Sequence, residues 1–152
     1  MNKDAPTLDS WKDLAFSSHY LTAIAIKKAL ESGNYSEAEH GINELINALS
    51  RNDKHAVRSH LTRLMAHIIK WKSQPEKRSA SWVATIESAR NEIRDYQEET
   101  PSLTDESIKE MWETCFARAQ RAAELDMQKK SAVQSLSWDE VFHDEYNLTG
   151  DE

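Results

Sequence analysis

The densest run of side chains able to do chemistry extends from His60 to Trp82. On a helix, His60, Arg63, His67 and Lys70 fall at steps of three, four and three and share a face. Four nitrogen-bearing groups on one face suit an anion. His60 and His67 are two turns, about 10 Å, apart by helix rise. Zinc bonds are roughly 2 Å long, so the two cannot ligate one ion directly, and no metal is expected. Next come Lys70, Trp71, Lys72, Lys77, Arg78 and Trp82. Cations interleaved with tryptophans can hold phosphates and stack on bases. The same residues can equally clamp a turn, with Arg78 satisfying the last carbonyls of the helix before it.

The second group lies near the C-terminus. Trp138, Phe142 and Tyr146 can line one side of a short helix, with Asp139, Glu140, Asp144 and Glu145 clustered beside them. Aromatic anchors backed by carboxylates suit a surface that captures a cationic protein. The alternative is that the aromatics dock onto the chain's own basic middle. Cys115 lies in an apolar helical stretch, Met111 to Phe116, and reads as a small buried hydrophobe rather than a nucleophile.

The elements that position these groups are helical. The 152 residues include only 3 Gly and 3 Pro, and no segment alternates like a half-buried strand. A first helix is expected from about Leu8 to Ser32, its stripe carrying Trp11, Phe16, Leu21 and Ile26, with Gly33 ending it. Ser36 and Glu39 fit a capping box for a second helix presenting Ile42, Leu45, Ile46 and Leu49. A break at Asn52-Asp53 starts a third helix, which stops before Gln74-Pro75. Ser79 or Ser81 caps a fourth, Thr104 a fifth, and Ser137 with Glu140 a short sixth. The expected fold is all-α, an irregular bundle of five to six helices in a single domain over 1–134, with 135–152 as an acidic short helix and tail packed on or extending from it.

Charge is uneven. Residues 51–94 carry 10 Lys/Arg against 4 Asp/Glu, whereas the whole chain has a net charge of −7. That acidity disfavours non-specific nucleic-acid binding. A single cysteine allows no internal disulfide. Met1 to Pro6 has no secretory pattern, and no apolar run approaches the ~20 residues that span a bilayer. A cytoplasmic location is therefore expected.

Leu64, His67 to Trp71, Gln74-Pro75, Arg78, Ser81-Trp82, Ile86, Arg90 and Pro101-Ser102-Leu103 together resemble the pattern of the bacterial domain of unknown function 29 family. The resemblance spans roughly residues 10–148 and includes the closing segment from Leu136 to Tyr146. It implies an all-helical fold and no particular activity. It also implies that Glu44, His67 and Arg90 meet between helices as a polar cluster fixing helix register. The acidic pairs usual in that family's second helix are reduced here to Glu39 and Glu44.

No phosphate-binding glycine loop, paired CxxC, HExxH or nucleophile elbow is present. The expected function is a non-enzymatic, cofactor-free binding protein of the immunity or antitoxin type. It would neutralise a basic toxin or nuclease domain through Trp138, Asp139, Glu140, Phe142, Asp144, Glu145 and Tyr146. The alternatives are a nucleic-acid-binding module using Lys70 to Trp82, and a hydrolase with a site near His67. Oligomeric state is not legible from the residues.

Overall fold

A computed structural model describes residues 8–149, so the reading of Met1 to Pro6 lies outside the described residues. Among the described residues there are seven α-helices, one 3-10 turn and no strand: α1 (Leu8–Ser17), α2 (His19–Glu31), α3 (Tyr35–Ser73), α4 (Ala80–Glu99), α5 (Asp105–Glu110), α6 (Trp112–Met127) and α7 (Trp138–Phe142). The chain divides into two compact units, 1–53 and 54–152. None of the described helices is long and apolar enough to cross a membrane.

In the first unit, the single helix expected over 8–32 is two. Ser18 takes an extended conformation between them, and its hydroxyl accepts the Leu21 N–H as the N-cap of α2. Gly33 ends α2 as expected, at φ 75°, in the left-handed region that glycine enters without a Cβ penalty. The helix that follows begins at Tyr35, so Ser36 lies in its first turn and is not the N-cap.

The core of this unit is built on Trp11, Ile26, Ala29 and Ala38, with the Trp11 indole N–H donating to Glu37 Oε2 at 2.8 Å. Gly41 faces the same centre. A Cβ there would come within 2.7 Å of both Ile26 and Trp11. Glycine is thus required for α3 to approach the tryptophan. The inward positions of this part of α3 are small: Ala38, Gly41 and Ala48. The large residues expected in the core, Ile42, Ile46 and Leu49, point to solvent instead, as do Phe16 and Leu21.

A further correction concerns Asn52-Asp53, where α3 does not break. A capping preference is worth only about 1 kcal/mol. Beyond it, Val57, Leu61, Leu64, Met65 and Ile68 are all fully buried, so the helix continues into a second core.

That core, in the 54–152 unit, gathers those α3 residues with Ile86, Ala89 and Ile93 of α4, Ile108 of α5 and Cys115, Ala119 and Ala123 of α6. The α3 helix ends at Ser73 before Pro75, Ser79 caps α4, and Thr104 caps α5. The helix expected after Thr104 is interrupted at Met111, which separates α5 from α6. Leu136 and Val141 enter the same core. Residues 135–149 therefore pack onto the second unit, and α7 opens with the capping box of Ser137 and Glu140.

Candidate functional site

The three groups of residues singled out by sequence have different fates. The polar cluster is not assembled. Glu44 and His67 sit on one and the same helix, Glu44 in its first-unit part and His67 in its second-unit part. The expectation that they meet between helices fails because the break that would have folded one helix back on the other is missing. Glu44 Oε2 is shielded from solvent with no hydrogen-bond partner among the described residues.

Arg90 has another role. Its Nε donates to the Val141 carbonyl at 2.8 Å and its Nη2 to the Glu140 carbonyl at 3.3 Å. These are carbonyls at the end of α7, which have no acceptor role inside so short a helix. The guanidinium also lies over the Tyr146 ring, 5.4 Å from its centroid. Burial lowers the Arg90 pKa, offset in part by Tyr146, Glu87 and Asp144.

The closing segment is tied down by its own aromatics. Trp138 stacks on Trp112 at 5.4 Å and contacts Phe142 at 4.5 Å, while the Trp112 indole donates to the Leu136 carbonyl. Tyr146 meets Trp71 edge-on, and its hydroxyl donates to the Glu140 carbonyl at 2.7 Å. Burial, followed by the charges of Asp144 and Glu140, pushes the Tyr146 hydroxyl up to about 12. Glu140 pairs with Lys72. That hydrogen bond and the Ser137 N–H hold the Glu140 carboxyl below the usual range. Of the seven residues expected to meet a partner, Asp139, Asp144 and Glu145 remain exposed, with Asp139 bonded to His143. The four others are half-buried and engaged within the second unit.

The basic segment is likewise committed. Arg78 Nε donates to the Trp71 carbonyl at 3.0 Å and the guanidinium covers the Trp71 ring, as the turn-clamp alternative requires. Trp71 is buried. Lys70 pairs with Asp126 at 3.0 Å and lies over Trp82. Only Lys77 of this set is exposed without an ion pair.

The four-residue face of α3 is split. His60 is placed 3.9 Å from Glu92 and beside Tyr96, on the α4 side. Arg63, His67 and Lys70 instead line a cavity with α6. His67 Nδ1 is 2.9 Å from the Arg63 carbonyl. A carbonyl only accepts, so Nδ1 carries the proton and Nε2 is the free acceptor. Burial lowers the His67 pKa, and the charges of Lys70 and Arg63 add to this. No carboxylate is bonded to His67 among the described residues, and Asp126 is held by Lys70 instead. A carboxylate–histidine pair is therefore not formed in this arrangement. Cys115 is buried and its pKa is raised by that burial. No cluster of three or more His, Cys, Asp or Glu able to hold a metal occurs among the described residues.

Sequence reasoning missed a surface that the first unit exposes. Of the ten large apolar side chains exposed among the described residues, eight lie between Phe16 and Leu49. Four of them, Tyr35, Ile42, Ile46 and Leu49, recur on α3 at steps of seven, four and three. At 100° per residue they fall within one narrow stripe along the helix. The signal was present in the sequence: alanines and a glycine share this helix with larger apolar residues, and only one of the two sets can be the inner face.

The model of the family described as "Domain of unknown function DUF29" matches residues 6–147. No curated protein and no solved structure matches the chain.

Proposed function

The chain belongs to the DUF29 family, and we propose that it is a protein-binding module that uses the exposed apolar face of its first unit. The observation that carries this is the α3 stripe of Tyr35, Ile42, Ile46 and Leu49, backed by Phe16, Tyr20, Leu21 and Leu30 nearby in sequence. Contiguous exposed apolar surface on a globular unit marks a contact site. A stripe at helical spacing suits a partner that offers an apolar helix or groove. Each of the four α3 residues keeps between 41 and 69% of its surface in water. Covering them contributes about 1 kcal/mol apiece.

Charge narrows the partner. Residues 1–50 carry 7 Asp/Glu against 4 Lys/Arg, and Asp139, Asp144 and Glu145 of the second unit are exposed. Such a field speeds encounter with a basic protein and opposes association with a second acidic copy. Neutralisation of a cationic nuclease, as an immunity or antitoxin protein would achieve, is the narrower form of this reading. Its aromatic anchors would lie on the first unit, because those of the closing segment are occupied internally.

The test compares the full chain with Ile42→Asp/Ile46→Asp as immobilised bait in extract of the native host, with quantitative mass spectrometry. Both positions are exposed, so helical content by circular dichroism is expected to be unchanged. A basic protein retained stoichiometrically by the parent chain and lost by the double variant supports the reading. Equal retention by both overturns it, as does a stable dimer that accounts for all coverage of the stripe.

A further inference from the structure

Within the second unit, the seam between α3 and α6 holds a cavity of about 430 Å³. Arg58, Arg63, His55 and His67 line it from α3, and Arg118 lines it from α6. An adjoining cavity of about 390 Å³ shares Arg58 and Arg118 and adds Lys54. Together they form a cationic trough along α3 and α6, bordered by Ser107 and Glu110 of α5, in a chain whose net charge is −7.

None of the three guanidinium groups is in an ion pair among the described residues. Asp126, the carboxylate of that lining, is already bonded to Lys70. Like charges facing one another across a helix seam repel, and an anion between them removes the repulsion. Their joint field is felt by the neighbouring groups. Arg58 and Arg118 pull the Cys115 thiol down against its burial, and Arg63 acts in the same sense on His67.

We propose that this trough binds a small phosphorylated molecule, its phosphate held between Arg58, Arg63 and Arg118. Planar guanidinium groups match phosphate oxygens in pairs. Ser59 lines the same cavity, and its hydroxyl supplies a further donor. Ala66 and Ala122 line it with nothing beyond a Cβ, which leaves room for the body of the ligand. A volume of a few hundred Å³ suits a molecule of nucleotide size.

A long polyanion fits less well. Each cavity is lined by one carboxylate, Glu110 in the one that adds Lys54 and Asp126, bonded to Lys70, in the other. A nucleic-acid backbone running along the seam would pass both. A compact anion in the first cavity meets only Asp126, whose charge Lys70 offsets.

The experiment is a titration of the isotopically labelled full chain, followed by two-dimensional NMR. The probes are inorganic phosphate, adenosine 5′-monophosphate and a twelve-nucleotide single strand. Phosphate and the nucleotide are expected to give saturable shifts at Arg58, Arg63, His67 and Arg118. The variants are R118E and R58E. Loss of one charged contact is expected to weaken nucleotide binding by about tenfold or more, with R118K falling between. Arg118 is exposed, so R118E carries the test if R58E fails to fold. Shifts that do not saturate, or that persist unchanged in R118E, overturn the proposal. Tighter binding of the oligonucleotide, with several charges in its salt dependence, also overturns it, in favour of a nucleic-acid groove.

Discussion

Replacing Arg90 with methionine should release the closing segment from the second unit. Arg90 is 8% exposed, and its two hydrogen bonds end on carbonyls of a five-residue helix that cannot hold itself together. A hydrogen bond to a charged group is worth about 1.5–3 kcal/mol. The 2.8 Å bond to Val141 belongs in that range, and the 3.3 Å bond to Glu140 contributes less. Stacking of the guanidinium on Tyr146 adds about 0.5–1 kcal/mol. Methionine fills most of the volume and avoids burying a charge, which recovers part of the loss. The net expectation is a loss of about 2–4 kcal/mol, a large share of a domain's usual 5–15. Urea unfolding followed by tryptophan fluorescence reads this directly, because Trp71, Trp82, Trp112 and Trp138 all belong to this unit. With a slope of about 2 kcal/mol per molar, the midpoint should fall by roughly 1–2 M. Arg90→Lys, which keeps charge but loses the planar fork, should lie between. A midpoint within a few tenths molar of the parent chain for Arg90→Met would show that α7 is held by its apolar contacts alone.

Three further outcomes follow from named contacts. Gly41→Ala should lower the melting temperature of the first unit despite alanine's better helix propensity. The added Cβ meets Trp11 and Ile26 at 2.7 Å, and overpacking costs about 1–3 kcal/mol; a rise in the melting temperature would refute the close approach. Tyr146 should ionise near 12 in the folded chain, above its ordinary value of 10. Its raised pKa contributes stability that is fully present below about pH 10 and is lost as pH rises through about 12. Tyrosinate absorbance should show one late-titrating group that Tyr146→Phe removes. Cys115, buried and with a raised pKa, should react with a thiol reagent at pH 7.5 far more slowly in the folded chain than in urea. Equal rates would place the thiol at the surface.

Much of the local structure was legible in the residues. Gly33, Pro75, Ser79, Thr104 and the Ser137–Glu140 box each act within a few positions of themselves, and each marks the boundary expected of it. The clamp of Arg78 on the end of α3 was legible for the same reason, since donor and acceptor lie seven residues apart. Three boundary signals misled, among them Ser36, which lies in the first turn of α3 instead of capping it. Ser18 carries a cap that periodicity concealed, and Asp53 stands where a cap was expected inside an unbroken helix. Local preference of about 1 kcal/mol gives way where a row of buried side chains continues beyond it.

Composition and periodicity by themselves determined that the chain is helical, where most helices end, and that its middle is basic while its ends are acidic. Only the tertiary structure decided which face of each helix is inside. Small residues turned inward around Trp11 left Ile42, Ile46 and Leu49 in water. The unbroken α3 put Glu44 and His67 on one helix rather than on two facing ones, and the seam with α6 brought Arg58 and Arg118 to one cavity. Periodicity states that residues share a face, but a face becomes a core or a surface only through what the other helices bring against it.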